Sequence, residues 1–381
     1  LSNEQQTGRY SIFGVDVVSG ETKTLSREKW ENCFRMDWTR DGDGLVFIGT
    51  RAGEGLSVYR DQVYYLSIAD GESKRITSGG SLYDLDAMTI TDDNSLIAVS
   101  VNRLSQIYKI ETDNLADSEV RLTNGQYDGR GGIVSLPDGN IGYTSRNGEG
   151  VGIWTVKADG SENRQIFNEF YFEQLRATPD GRYFVFASKR NGFSHLFRID
   201  SAGGNLKQIT DGKSSEVQSS ISPDSKWIFY INDSFDGEKW KKQLRKTSID
   251  GSETIDVGEV KGDLPNLSPD GKSISLIEND KIKIYSAQNG ELLKTLDVLK
   301  ASPLYTGVSW MPDGKSLVYA VIDDKDVANL WQQPLDGNAP RQLTKFTNGS
   351  IYFHTFADDG KTIFLARGEQ IRNAVLIKNF K

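Results

Sequence analysis

The sequence predicts an all-β chain made of eight copies of one four-stranded antiparallel unit, and three observations predict it. A turn phrase centred on aspartate recurs at Asp41, Asp93, Asp138, Asp180, Asp224, Asp270, Asp313 and Asp359, with successive spacings of 52, 45, 42, 44, 46, 43 and 46 residues. The flanks of that turn keep register: three residues before stand Trp38, Ile90, Ser135, Ala177, Ile221, Leu267, Trp310 and Phe356, and four after stand Leu45, Ile97, Phe184, Ile228, Ile274, Leu317 and Ile363, with Ile141 one residue early in the third copy. Each marker is followed by further short β-type runs separated by glycine-bearing turns, and helical periodicity is absent. A period in the forties with short strands is that of a four-stranded propeller blade, roughly 40–45 residues. The expected fold is therefore an eight-bladed β-propeller.

Each element has a local cause. In Ser222-Pro223-Asp224-Ser225-Lys226-Trp227-Ile228-Phe229-Tyr230, proline fixes φ and aspartate can bond its own backbone, so the chain turns. The aromatic and β-branched residues that follow favour a strand. Third strands read Val63-Tyr64-Tyr65-Leu66, Ile107-Tyr108-Lys109-Ile110, Ile153-Trp154-Thr155-Val156, Leu196-Phe197-Arg198-Ile199, Ile282-Lys283-Ile284-Tyr285 and Leu330-Trp331-Gln332. Tight turns such as Asp159-Gly160 and Asp336-Gly337 come next, a hairpin signal. Fourth strands are short and basic, as in Lys74-Arg75-Ile76-Thr77 and Lys207-Gln208-Ile209-Thr210; charge on an outer strand discourages pairing with another chain.

The ends complete the count. Residues 1–9 are a polar lead-in, residues 10–18 alternate, and residues 23–26 read as a fourth strand. Residues 353–356, 362–366 and 374–377 read as strands one, two and three. The expectation is a single domain, residues 1–381, closed by pairing the N- and C-terminal strands in one blade. Two insertions, residues 51–61 and 232–242, fall in the same inter-strand connection and so at one end of the ring.

Net charge is −8 and pI about 5.1, which disfavours nucleic acid, since that binding needs Lys and Arg on phosphates. The single cysteine, Cys33, excludes an intramolecular disulfide and reads as a small buried hydrophobe. No apolar run reaches the length of a membrane span. The start at Leu1 reads as the processed or excised portion of a longer product.

The Ser268-Pro269-Asp270-Gly271-Lys272 turn, and Asn329-Leu330-Trp331 running on to Arg341-Gln342-Leu343-Thr344, resemble TolB-like propeller repeats, also called WD40-like or PD40 repeats. The ending, residues 366–380, resembles the terminus of propellers carried beyond a membrane span by bacterial serine/threonine kinases or winged-helix regulators. That resemblance implies an extracytoplasmic, periplasmic or cell-surface sensor or protein-binding module of a larger membrane-anchored protein.

Chemistry is sparse. His195 and His354 are the only histidines, too few for the converging histidines of a metal site. No Gly-x-Ser-x-Gly elbow supports a triad, Gly129-Arg130-Gly131-Gly132 lacks the Lys-Ser/Thr of a phosphate loop, and the Asp turns lack the calcium-loop pattern. The expectation is a noncatalytic binding or scaffold propeller, with no enzyme activity, metal or cofactor. The alternatives are a propeller hydrolase or lyase, or a structural subunit of a membrane-associated complex. The expected binding site for a protein, peptide or small ligand is the ring mouth, lined by Tyr83, Asp84, Tyr127, Asp128, Tyr171, Phe172, Tyr305 and Tyr352, with Trp240 on the adjoining insertion. Aromatics and a few acids at a concave opening suit such recognition.

Overall fold

The structure is a computed structural model and describes residues 2–4, 9–52, 61–77, 82–112, 118–147, 150–169, 173–191, 193–235, 237–299 and 307–380. Among these residues every regular element is a strand, and all named strand pairs are antiparallel. No helix is long and apolar enough to cross a membrane. The chain divides into two compact units: Leu104–Glu369, and Leu1–Arg103 with Gln370–Lys381.

The Leu104–Glu369 unit holds six four-stranded sheets among the described residues. Sheets 1 to 5 follow chain order. Their first strands are Ile133–Ser135, Glu173–Ala177, Ser215–Ile221, Asp263–Leu267 and Ser309–Trp310. Sheet 6 is composite. Its first two strands, Ser350–Phe356 and Thr362–Gly368, pair onward with Gln106–Glu111 and Val120–Arg121 from the other end of the unit.

Hydrophobic clusters fill the spaces between sheets. One lies between sheets 1 and 2, and others between 2 and 3, 3 and 4, 4 and 5, 5 and 6, and 6 and 1. Six sheets joined by six interfaces close a ring, and first strands of neighbouring sheets touch all the way round. The apolar residue after each turn supplies the packing: Ile141, Phe184, Ile228, Ile274, Leu317 and Ile363 are all fully buried. Burying one such side chain is worth about 1.5–3 kcal/mol.

Two local devices explain the recurring polar letters. Asp138, Asp180, Asp224, Asp270, Asp313 and Asp359 each accept, through Oδ1, the amide two residues on at 2.8–3.1 Å. Ser222 and Ser268 donate to Asp224 and Asp270 as well, and these bonds hold both carboxyls below the usual carboxylate range. The threonine that ends the fourth strand is a staple. Thr123, Thr210 and Thr344 use Oγ1 to accept the Ile107, Leu196 and Leu330 amides at 2.9–3.0 Å. A buried amide at the start of each third strand is thereby satisfied.

The other unit contains a six-stranded sheet, in which Ser2–Glu4, Arg9–Ser11, Trp30–Trp38, Gly44–Arg51, Gln62–Ser67 and Ser73–Arg75 lie in that order. It also has a three-stranded sheet of Gln370–Ile377, Leu96–Arg103 and Leu82–Ile90, and a small hairpin, Phe13–Val15 with Thr22–Thr24. Trp30, Phe47 and Tyr64 form its aromatic centre, with Trp30 4.7 Å from each of the other two rings.

These pairings correct the expected closure and count. The N-terminal strands do not pair with the C-terminal one: Arg9–Ser11 pairs with Ser2–Glu4 and Trp30–Trp38, whereas Gln370–Ile377 pairs with Leu96–Arg103. The copies marked by Asp93 and Asp359 instead exchange their outer strands. Burial gives the reason. A third strand is packed on both faces, and Gln106–Glu111 brings Ile107 and Ile110, both fully buried. Gln370–Ile377 carries Gln, Arg and Asn and is largely exposed, so it serves as an edge strand. The described residues thus form six four-stranded sheets in one unit and differently built sheets in the other, not eight equal blades in a single domain.

Candidate functional site

The six first strands of the Leu104–Glu369 unit surround one cavity of about 200 Å3. Every sheet contributes to its wall, through Ile133, Arg176, Ser220, Asn266, Ser309 and His354 among others. This is the axial channel of the ring.

The backbone lining it repeats an unusual feature. Six residues before their markers stand Gly132, Gln174, Gln218, Leu264 and Gly307, with φ of 139°, 49°, 57°, 58° and 63°. Left-handed backbone costs a non-glycine residue on the order of 1–2 kcal/mol, so Gln174, Gln218 and Leu264 carry strain in three successive sheets. Register shifts sit at the same places in sheets 2, 3 and 4. The bulges turn backbone polar groups from the strand ladder towards the neighbouring sheet.

Those groups stitch the ring. The Leu175 amide donates to Gly131 O at 2.9 Å, Arg176 Nε to Ser219 O at 2.8 Å, the Leu264 amide to Gln218 Oε1 at 2.8 Å, and Trp310 Nε1 to Asn266 O at 2.9 Å. His354 Nε2 meets Val318 O at 3.3 Å. The Arg130 guanidinium lies 4.6 Å from the centre of the Tyr352 ring, which links sheet 6 to the segment leading into sheet 1.

Three polar groups remain for a ligand. Arg176 is enclosed by protein, and burial pushes its guanidinium down to about 10. Its bonds go to the Ser219 and Leu175 carbonyls, and no carboxylate pairs with it among the described residues. Gln174 Oε1 is buried without a hydrogen-bond partner. His354 is 5% exposed, and burial pushes it down to about 4, against a raising contribution from the Val318 carbonyl. It is therefore neutral near pH 7. A carbonyl can only accept, so Nε2 carries the proton. Nδ1, which has no partner, presents a lone pair. The channel thus offers one uncompensated cation and two unused acceptors. No group of three or more His, Cys, Asp or Glu among the described residues is placed to hold a metal ion.

The residues expected at the mouth are dispersed. Tyr83 and Asp84 belong to the Leu1–Arg103 unit, where Tyr83 is partly buried against Met88 and its neighbours and Asp84 faces Arg372 at 3.9 Å. Tyr171, Phe172 and Tyr305 lie outside the described residues, as does most of the 51–61 insertion. Asp128 is a buried tie: it accepts Ser145 Oγ at 2.5 Å and the Gly125 amide at 2.9 Å. Tyr127 lies under Arg146 at 5.5 Å, and Tyr352 packs in the cluster between sheets 6 and 1. Trp240 is 68% exposed beside Phe235 at the tip of the sheet 3 hairpin. Ser215, where the first strand of that sheet begins, pairs with Asp233 near the same tip. Sequence reasoning missed Arg176, Gln174 and the channel position of Asn266. The signal was present. Four residues before the markers, mid-strand, the sheets read Val134, Arg176, Ser220, Asn266, Ser309 and Thr355, a polar row where an apolar one would face a packed core.

Residues 174–357 match the TolB beta propeller domain. The fold is a TolB-like propeller. Residues 85–239 also match the N-terminal region of dipeptidyl peptidase IV. Solved structures similar to this TolB-like chain include oligogalacturonate lyase from Vibrio parahaemolyticus, 14% identical, covering 87% of this chain and 98% of that one with a TM-score of 0.45. TolB from Acinetobacter baumannii is 18% identical, covering 76% and 63%, with a TM-score of 0.36. A puromycin-hydrolyzing peptidase of Mycobacterium tuberculosis is 12% identical, covering 84% and 56%, with a TM-score of 0.40. Among curated proteins, an uncharacterized protein of Agrobacterium fabrum is 23% identical over 156 residues, which are 37% of this chain and 52% of that protein. The chain thus spans about half the length of that curated relative. The expectation of a chain without enzyme activity is corrected here. The TolB-like sheets share a family match with part of a peptidase, and a lyase and a peptidase stand among the similar structures.

Proposed function

We propose that this chain is a ligand-binding TolB-like propeller of an extracytoplasmic protein, with the axial cavity of the Leu104–Glu369 ring as its working site. The observation that carries the reading is Arg176, a guanidinium held among six first strands with no carboxylate partner among the described residues. A desolvated charge left unpaired costs several kcal/mol, and a bound partner offsets that cost. The strained bulges at Gln174, Gln218 and Leu264 support the same place, since stored backbone strain gathers at binding sites. The end at which first strands begin serves as the entrance, and the exposed Trp240 on its long hairpin adds an aromatic contact there for a peptide or protein. Location outside the cytoplasm rests on the TolB-like repeats.

The test is a thermal-shift screen of the full chain against small metabolites and peptides. Hits that raise the melting temperature should lose that effect in Arg176→Met. Hits that act equally on the variant would place the working site elsewhere. The match to dipeptidyl peptidase IV favours a second reading, in which the propeller serves an enzyme. Steady turnover of a hit compound, abolished by Arg176→Met, would select it.

A further inference from the structure

We infer that the axial cavity takes a small organic monocarboxylate bearing a hydroxyl or ammonium group next to its carboxylate. This rests on the channel being the working site and names what the site selects.

Charge comes first. Arg176 is the cation, and a guanidinium matches a carboxylate through paired N–H donors. With Nε engaged by the Ser219 carbonyl, the terminal nitrogens are what the cavity receives. One positive charge suits a monoanion.

The acceptors then narrow the class. Gln174 Oε1 and His354 Nδ1 are buried, lack hydrogen-bond partners and belong to cavity-lining residues. A buried acceptor left unmet costs about 1–3 kcal/mol. The preferred ligand therefore brings donors of its own. Phosphate and sulfate present oxygens to these two acceptors, and acetate brings no donor. A hydroxy acid or an amino acid supplies both the anion and the donor.

Size sets the last limit. A cavity of about 200 Å3 equals the liquid volume of roughly six or seven water molecules. That accommodates a compact ligand and leaves no room for a polymer segment lying within the wall. Ile133, Val134 and Val308 supply apolar wall around the polar groups, which suits a short carbon skeleton.

The experiment is calorimetric titration of the full chain with lactate, acetate, lactamide and inorganic phosphate, up to about 10 mM to reach Kd values in the millimolar range. Amide hydrogen exchange at Leu175 and Leu264 is followed in parallel. The expected result is lactate binding that exceeds acetate binding about tenfold, with no heat from lactamide or phosphate. Arg176→Met should abolish the lactate signal, and Arg176→Lys, which keeps the charge should the methionine variant not fold, should weaken it. Phosphate binding as tight as lactate, or lactate binding unchanged in Arg176→Met, overturns the inference. Lactamide protecting the two amides while lactate does not would overturn the carboxylate class and leave the channel as the site. No change at either amide with any of the four probes counts against both.

Discussion

The Leu104 amide donates to the Glu369 carbonyl over 2.8 Å. The point where the chain enters the six-sheet ring is thus bonded to the point where it leaves. Ring closure needs this seam, because Gln106–Glu111 must lie beside Thr362–Gly368 along its full length, from Gln106 opposite Arg367 to Glu111 opposite Thr362. At the crossing the two segments are so close that a Cβ on Gly368 would stand 2.2 Å from the Leu104 carbonyl oxygen.

Gly368→Ala should therefore loosen the ring. The obstruction is backbone, which cannot swing aside, so a loss of about 2–4 kcal/mol is expected in denaturant unfolding. Gly139→Ala makes the comparison: it has open space around it and φ of 80°, so it should cost only about 1 kcal/mol. Equal effects from the two would show that the seam is not tight.

The threonine staple gives a second prediction. Thr344→Val keeps shape but removes the oxygen that accepts the Leu330 amide at 2.9 Å. The stranded buried amide should cost about 1–3 kcal/mol. Thr344→Ser should recover most of it, since it restores the hydroxyl. A valine variant as stable as the parent would mean that the amide finds another partner.

His354 gives the ring a pH signature. Its folded pKa is pushed down to about 4 from 6.5. Between those values the unfolded chain takes up a proton that the folded ring refuses, so stability falls as pH drops from about 6.5 to 4. The full window amounts to about 3 kcal/mol. Chemical unfolding at pH 7 and pH 4 should show a larger loss in the parent than in His354→Gln. An identical loss in both would contradict a buried neutral imidazole.

Trp240 separates recognition from folding. Its ring is exposed and touches Phe235 at the hairpin tip, so Trp240→Ala should change stability by less than about 1 kcal/mol. If it is an anchor for a peptide or protein partner, affinity falls by about 1–2 kcal/mol. A large drop in melting temperature would instead assign it to the fold.

Much of the ring was legible because the repeat is written twice over, in the Asp turn and in the apolar residue that follows it. Asp180 capping its own turn and Phe184 buried between sheets are both local consequences of the phrase. Closure was not legible in the same way. Whether Ile107 or Val375 completes the last sheet depends on a long-range competition, and the strand better able to bury both faces won. The site was half legible. Tyr352 and Asp128 read as mouth residues, yet one packs between sheets and the other ties two loops, because aromatic and acidic residues also serve a β core. Arg176 stood in view at a fixed offset from Asp180, in a row where polar letters signal an open axis.

The central claim is a ring of six sheets closed by strands from both ends of the Leu104–Glu369 unit. Paired cysteines test it directly, with Cys33→Ser as background. Tyr108 and Leu365 are Cα partners across the seam, within the reach a disulfide requires. Tyr108→Cys with Leu365→Cys should form an intramolecular disulfide under mild oxidation in the folded protein. Terminal closure would instead link Val15→Cys with Val375→Cys. A disulfide in the first pair and none in the second is the predicted result; the reverse would contradict the seam and the six-sheet ring with it.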